Sequence, residues 1–557
     1  MEYSRLVETY EALGETQSTL EKTDILAELF EDSGDQLENV VLLAMGRAFP
    51  YWKDLDLGIS SKTMVKIIKE ASGASEKKIE EEWKEAGDLG SAAETIMEEG
   101  AGQQSLMQKE LTVERVVEKL EKVARMEEKS LGSVSQDKKR KEVAALLNDA
   151  TPREAKYIVR TFIENLRLGV GEGTVRDALA ETFFEGEHTE DIQKAYDFTN
   201  DFSKVANACR EGIEEVRSLD MELFRPINSM LAKKVDTIKE GFETVGKPAG
   251  IDYKYDGMRA QIHVRDGEVK VYTRRLEDVT EQFPDVEKAV KENIDSESCM
   301  IDAEILAYDP EDGSTIPFQK LSKRIKRKYD IQRMVEEIPV EVRPFDLIYE
   351  EEPMIEQEYR KRWKRLGEIV EEEENKLRLV DHEETDSEEE VSAMQQRSLE
   401  EGHEGIMMKN LEAEYKPGSR VGYMVKLKPV METLDLAIVG AKWSEGKRSG
   451  WLGRLFLGCY DEESGEYREV GKMATGLTEE QLQEVTDKLE PLIVNEDGRK
   501  VDVRPEVIVE VEYEEIQESP NYSSGYALRF PRLKSFREDK EEADSLQKIS
   551  NLYDDQK

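Results

Sequence analysis

Three cysteines, four histidines and an undersized share of positive charge are what this 557-residue chain has least of, and each shortage excludes something. Cys209, Cys299 and Cys459 lie far apart and are odd in number, so neither a disulfide framework nor a C-x-x-C metal pair is available. A reducing cytoplasm is the expected setting. The histidines, His188, His263, His382 and His403, show no ligand spacing, and His403 reads as an ordinary loop residue although it adjoins Glu404. No apolar run is long enough to span a bilayer. The opening Met1-Glu2-Tyr3-Ser4 lacks the basic-then-apolar pattern of a secretory signal.

Positive charge is the larger deficit. With 80 basic against 124 acidic residues the chain carries a net charge of −44. Runs such as Glu371-Glu372-Glu373-Glu374 and Ser387-Glu388-Glu389-Glu390 cover it with carboxylates. Proteins that hold nucleic acid are usually basic, because phosphate binding rests on Lys and Arg. Two readings compete. Either the chain does not bind DNA, or it works in multimolar salt, where the Debye length falls to about 3 Å or less and surface repulsion is screened. The motifs below favour the second, a salt-adapted, halophilic protein.

Hydrophobic residues at 38% and charged residues at 37% describe a globular protein with an ionic surface, and 557 residues exceed what one core organises. Residues 1 to about 224 read as helical: Val113, Val116, Val117, Leu120 and Val123 recur at helical spacing. Thr151-Pro152-Arg153-Glu154 is a capping box that should start a helix. After Arg225-Pro226 the period changes. Ala260, Ile262 and Val264 alternate, Asp266-Gly267 supplies a turn, and Val269, Val271 and Thr273 alternate again, which predicts a β-hairpin. After Lys428-Pro429 alternation dominates, in Leu434, Leu436 and Ile438 and in Val507, Val509, Val511 and Tyr513. Residues 430–557 therefore read as a small β-rich domain, plausibly a barrel. The acidic stretch from about 367 to 390 is compatible with loop or helix.

Seven elements then follow one another in order. Lys254-Tyr255-Asp256-Gly257 comes first, with Arg259 just downstream, followed by Thr273-Arg274-Arg275 and Ile301-Asp302-Ala303-Glu304. Pro344-Phe345-Asp346-Leu347-Ile348-Tyr349, Glu404-Gly405-Ile406-Met407-Met408-Lys409 and Val425-Lys426-Leu427-Lys428 continue the series. Arg529-Phe530-Pro531-Arg532 through Arg537-Glu538-Asp539-Lys540 ends it. Singly each is weak. As an ordered set they resemble the motif series of the ATP-dependent DNA ligases, within the covalent nucleotidyltransferases, over residues of about 30 to 540.

The resemblance implies a fold: a helical DNA-binding domain over 1–224, an α+β adenylation domain over 225–429 and an oligonucleotide-binding (OB) β-barrel over 430–557. It implies chemistry as well. Lys254 would be the nucleophile that takes AMP from ATP, since a neutral lysine amine can attack phosphorus. Arg259, Arg274 and Arg420 would contact ribose and phosphates, Glu304 the ribose or a metal, and Phe345 would stack on adenine. Glu404 would sit near Mg²⁺, and Lys426 and Lys428 at the α-phosphate. Arg529 and Arg532 belong to the last motif, which closes over ATP, with 429–435 as hinge and Asp435 as candidate pivot. The family usually has glutamate two residues before the nucleophile, reading the adenine amino group; here Asp252 would take that place with the same acceptor chemistry on a side chain one methylene shorter.

Arg167, Gly169 and Gly171, within Asn165-Leu166-Arg167-Leu168-Gly169-Val170-Gly171, resemble the ligase DNA-binding loop, whose glycines let backbone amides approach phosphates. Thr174 stands where a dinucleotide fingerprint needs its third glycine, and Gly440 to Lys447 is one residue too long for a P-loop. Gln103-Gln104-Ser105-Leu106-Met107 sits where relatives carry a sliding-clamp peptide, without the aromatic pair. Lys320, Lys323, Arg324, Lys326, Arg327 and Lys328 form a basic island, readable as a solvated helix face or as DNA-backbone contact. The expected partner is nicked duplex DNA, the expected state a monomer. Alternatives are an RNA ligase, a messenger-RNA capping enzyme, or a non-catalytic nick-binding scaffold. The N-terminal helical region argues against the first two, the presence of Lys254, Glu404 and Lys426 against the third.

Overall fold

The computed structural model describes all residues except 51, 54, 101–109, 129–132, 312, 326–328, 430, 475, 541, 555 and 557. The clamp-like Gln103–Met107 segment and three members of the basic island lie outside the described residues. The chain divides into two compact units. One comprises residue 1, residues 8–56 and residues 168–429; the other comprises 2–7, 57–167 and 430–557. No helix among the described residues is long and apolar enough to cross a membrane.

The first unit joins helices to two sheets. Helix Thr19–Asp32 packs on helix Glu172–Phe184, and Leu37–Ala44 on Phe202–Glu211. The first sheet contains β1 (Lys233–Val235), β2 (Ala249–Lys254), β9 (His382–Thr385), β10 (Gly405–Asn410) and β11 (Met424–Leu427), in the order β1-β11-β10-β2-β9. The second contains β3 (Met258–Arg265), β4 (Glu268–Thr273), β5 (Ser298–Tyr308), β6 (Thr315–Ile316), β7 (Val340–Glu350) and β8 (Glu352–Pro353). Its order is β4-β3-β5-β7-β8, with β6 on β5. β3 and β4 are the hairpin that alternation predicts; Asp266 and Gly267 turn it with φ of 51° and 78°.

Strand periodicity sorts the first sheet into a core face and a chemical face. Ile251 and Tyr253 of β2 join Ile406, Met408, Val425 and Leu427 in one buried cluster with Phe242, Val391 and Met394. Asp252 and Lys254 point the other way. Asp252 stands opposite Met407, and Met407 opposite Lys426, so those side chains share the chemical face. In the second sheet Ile262, Ile301 and Val342 fill the core, while Arg259 and Glu304 oppose each other on the far face.

The Lys-x-Asp-Gly loop carries the chain from β2 of one sheet to β3 of the other. A Cβ on Gly257 would lie 2.6 Å from the Ile305 carbonyl oxygen and 2.8 Å from Glu304 Cγ, so only glycine lets the loop pass. Gly405 has φ of 130°, and its Cβ would meet the Leu427 carbonyl at 2.4 Å. Backbone crowding therefore fixes the glycine of both motifs. The acidic stretch resolves into the end of helix Tyr359–Ile369, loop, β9 and the start of helix Glu388–Glu400.

The second unit packs helices Ser61–Ser72, Glu76–Ala86, Leu89–Gly100, Val113–Glu128, Ser133–Asp149 and Pro152–Phe162 with the C-terminal strands. Val113, Val116, Leu120 and Val123 are buried along one stripe, as the spacing predicts, while Val117 of the same expected stripe is only half-buried. Thr151 and Glu154 form the reciprocal capping box at Pro152.

The C-terminal strands are β12 (Leu434–Trp443), β13 (Leu452–Asp461), β14 (Glu466–Met473), β15 (Ile493–Asp497), β16 (Lys500–Val503), β17 (Ile508–Glu512), β18 (Glu515–Glu518), β19 (Tyr526–Arg529) and β20 (Arg532–Phe536). They are OB-fold-like, but the expected barrel is not closed. The order is β14-β13-β12-β16-β15, with β17 joining β12 to β20 and with β18-β19 paired separately. β12 splits its pairing, giving Leu434–Ala437 to β17 and Gly440–Lys442 to β16. The register shift between Ile438 and Gly440 on its β13 edge marks the bend.

Candidate active site

Lys254 ends β2, and its ammonium contacts the Glu404 carboxylate. Lys428 Nζ lies 2.9 Å from the same Glu404 oxygen. The loop backbone closes the arrangement, with the Glu404 N–H donating to the Lys254 carbonyl at 2.8 Å. Burial by itself would raise the Glu404 pKa, but the Lys254 and Lys428 charges, with their hydrogen bonds, hold it down at about 2. Glu404 is therefore an anion gripped by two cations.

Further along β2, Asp252 is almost wholly buried and binds Lys409 Nζ at 2.5 Å and His382 Nδ1 at 2.6 Å. Burial opposes its charge, yet these two partners keep its pKa below the usual carboxylate range. Lys409 also donates to the Phe345 carbonyl at 3.2 Å and to Tyr359 Oη at 3.0 Å. Its ammonium lies 4.8 Å from the Phe345 ring and 4.5 Å from the Tyr359 ring. Phe345 is thus bracketed by cations, with the Arg259 guanidinium 5.2 Å from its centroid.

On the second sheet Arg259 donates to Asp302 at 2.6 Å and to the Met230 carbonyl at 2.7 Å, while Tyr415 Oη donates to Asp302 at 2.7 Å. Desolvation, together with the neighbouring Arg259 and Arg420, lowers the Arg274 pKa, as expected where guanidinium groups await an anion. Burial pushes the Glu304 carboxyl up to about 7; Lys254 and Arg259 oppose this, while Glu404 and Asp256 add to it. Burial is the larger cause, and a cation placed against this carboxylate would favour its charged form.

Comparison with known proteins agrees with this chemistry. A family model for the ATP dependent DNA ligase domain matches residues 229–428. Models for the DNA ligase N terminus and the ATP dependent DNA ligase C terminal region match residues 2–180 and 448–540. A DNA ligase of Nanoarchaeum equitans is 41% identical over 568 residues, covering 100% of this chain and 99% of the relative. One of Thermococcus onnurineus is 40% identical, covering 100% and 98%. This chain belongs to the ATP-dependent DNA ligases. A solved structure named Pmar-Lig_Pre. shares the fold, with a TM-score of 0.61 at 17% identity, over 96% of this chain and 99% of that one.

The first unit of the ligase thus carries Lys254, Asp252, Arg259, Glu304, Phe345 and Lys426 on its two sheets, with Glu404 and Lys428 next to strand ends and with Arg259 and Arg420 near Arg274. Arg529 and Arg532 belong to the second unit, where Arg529 donates to Glu515 at 3.0 Å and Arg532 is exposed at the start of β20. Gly169 has φ of 63°, and buried Lys22 donates to the preceding Leu168 carbonyl at 2.6 Å. Gly171 caps helix Glu172–Phe184 without a side-chain bond. Arg167 is committed elsewhere: within the second unit it pairs with Glu445, which also takes Arg499, and it donates to the Gly87 carbonyl at 3.1 Å.

Arg324 of the basic island is neither solvated nor free to meet DNA. It is fully buried, donates to Asp285 at 2.8 Å and to the Gln282 and Ile338 carbonyls at 2.9 Å, and lies 4.5 Å from the Phe283 ring. His403 is likewise no ordinary loop residue; it sits edge-on to Tyr255 at 4.6 Å, and burial lowers its pKa to about 4. Sequence reasoning passed over Lys409, Tyr359, Tyr415 and His382. Lys409 closes a motif already noticed. The others come from segments more than 100 residues away from Asp252 or Asp302, and no local pattern marks them.

Proposed function

We propose that Lys254 is the adenylyl acceptor of this nick-sealing ligase and that Glu404 governs its reactivity. The Lys254–Glu404–Lys428 cluster is the observation that carries the reading. A lysine attacks only as the neutral amine, because an ammonium nitrogen has no lone pair. Attack requires the Lys254–Glu404 pair to part and the Nζ proton to pass to solvent. The amine then attacks the α-phosphorus of ATP, the N–P bond forms, and the bond to pyrophosphate breaks. The adenylyl group passes to a 5′-phosphate at a nick, and the 3′-hydroxyl displaces AMP to seal the strand.

Around this step the residues position and neutralise charge, as phosphoryl transfer demands. Phe345 offers the face for adenine, Arg259 and Arg274 the guanidinium groups for ribose and phosphates, and Lys426 and Lys428 the ammonium groups at the α-phosphate. Arg420, Arg529 and Arg532 are assigned to the triphosphate, the last two on closure of the C-terminal domain. Glu304 and Glu404 would hold Mg²⁺. Among the described residues no three His, Cys, Asp or Glu side chains could hold an ion together, so phosphate oxygens and water would complete its shell, a usual arrangement for this ion. When bound, Mg²⁺ neutralises phosphate charge. Gly169, Gly171 and a released Arg167 would face the DNA backbone. Sealing would serve replication, repair and recombination in the cytoplasm, with the ligase acting as a monomer in molar salt.

Incubation with α-³²P-ATP and Mg²⁺ in molar KCl, followed by a denaturing gel, tests the core of this reading. The wild type should carry a labelled band that Lys254→Ala lacks, and Lys254→Ala should seal no nicks. A band of equal intensity in the variant would remove Lys254 from the role.

A further inference from the structure

Both oxygens of the Asp252 carboxylate are taken from within the protein. Lys409 holds Oδ2, and His382 holds Oδ1 from the neighbouring strand, where 382 stands directly opposite 252. The imidazole is built in rather than incidental. Trp363 packs on it at 4.4 Å and Tyr359 meets it edge-on at 6.1 Å. Gly250 gives it room, since a Cβ there would lie 2.8 Å from His382 Cε1. The side chain is only 8% exposed, yet among the described residues Nε2 has no hydrogen-bond partner. A neutral imidazole that donates from Nδ1 presents a lone pair at Nε2, and leaving such an atom buried and unmatched is costly.

The arrangement accounts for the short side chain at 252. Lys254 and Lys426 mark the phosphate end of the chemical face, while Lys409, Phe345 and His382 surround Asp252 at the other end. A glutamate would reach one methylene further by itself; aspartate is held back at the strand and must be aimed. We propose that His382 is a specificity-determining positioning residue for the nucleotide base: its Nδ1–H fixes the Asp252 carboxylate so that the pocket accepts the amino group of a 6-aminopurine and rejects a 6-oxopurine. A carboxylate aimed at position 6 accepts from an exocyclic N–H₂ and repels a carbonyl oxygen. The inference rests on Asp252 facing the base of the nucleotide that Lys254 receives.

Self-adenylylation of the full chain, measured with labelled ATP and with labelled GTP, tests it. His382→Leu removes the donor. His382→Asn retains one where Nδ1 stood, and His382→Gln moves it to where Nε2 stood. Loss of the donor should lower the ATP-over-GTP preference by about tenfold or more, through KM for ATP rather than kcat, while His382→Asn stays within about threefold of wild type. If His382→Leu fails to fold, the contrast between Asn and Gln carries the same test. Wild-type preference in His382→Leu, or equal loss in Asn and Gln, would overturn the role of His382. Asp252→Asn separates this from the parent reading: if that change also leaves the preference intact, Asp252 does not face the base at all.

Discussion

Asp435 holds Arg537 with both carboxylate oxygens, at 2.9 and 3.1 Å from Nη1, and Lys540 closes on one of them. The expected hinge pivot and the last family motif are thus one charge cluster at the start of β12. Asp435 is 6% exposed and is stitched further to Asp544, whose backbone N–H donates to its carbonyl at 2.7 Å.

Asp435→Asn should therefore act on the first chemical step. It removes the negative charge that Arg537 and Lys540 share and should destabilise the C-terminal strands. Self-adenylylation should slow by about tenfold, while sealing of a pre-adenylylated nick stays within about threefold. Rapid-quench kinetics of the two steps would check this; equal slowing of both would contradict it.

His263 sets an acid limit on the first unit. It is fully buried, accepts the Phe224 N–H at Nδ1 at 2.8 Å, and meets Gln261 Oε1 through Nε2 at 3.0 Å. Burial lowers its pKa from 6.5 to about 3, so the folded chain keeps the ring neutral where the unfolded chain protonates it. This contribution is present above pH 6.5 and is lost as pH falls towards 3, at up to about 1.4 kcal/mol per pH unit. Denaturation midpoints across that range should fall less steeply in His263→Gln than in the wild type. Parallel slopes would show that another group dominates.

Glu445 holds Arg167, the arginine proposed to meet the DNA backbone. It binds Arg167 and Arg499 together, while Lys84 reaches Glu496 and the Gly446 N–H donates to the Gly87 carbonyl at 2.9 Å. Glu445→Gln should free Arg167, tighten binding of a nicked duplex several-fold, and steepen its logarithmic salt dependence by about one. Fluorescence anisotropy over a salt series measures both quantities; unchanged affinity and slope would keep Arg167 out of the DNA interface.

The surplus of 44 acidic residues predicts that salt supports folding. At 2–4 M KCl the Debye length is about 3 Å or less, and repulsion among carboxylates is screened. Thermal unfolding should move upward between 0.1 M and 2–4 M KCl, and equal unfolding temperatures would count against salt adaptation.

Much of the chemistry was written locally. The order of the motifs specifies Lys254, Glu404, Lys426 and Lys428; alternation along β2 and β11 fixes the face of Lys254 and Lys426, while Glu404 and Lys428 adjoin the ends of β10 and β11. The hairpin at Asp266-Gly267 and the capping box at Thr151 are legible for the same reason: a turn and a helix start depend on residues within a few positions of each other. Gly257 and Gly405 are different, since their necessity lies in distant backbone, Ile305 and Leu427, that no local pattern reveals.

Tertiary structure alone decided what surrounds the reacting groups. Arg324 looks like one more surface cation until helix Pro284–Asn293 supplies Asp285 and buries it. His382 looks incidental until β9 pairs with β2 and sets it against Asp252. Arg167 carries the residue type of a DNA contact, yet a loop 278 residues later takes it. Sequence determined which charges the chain owns and the faces on which they stand. Which charge neutralises which depended on segments hundreds of residues apart meeting in space, and burial then fixed each pairing by making an unpartnered charge too costly to keep.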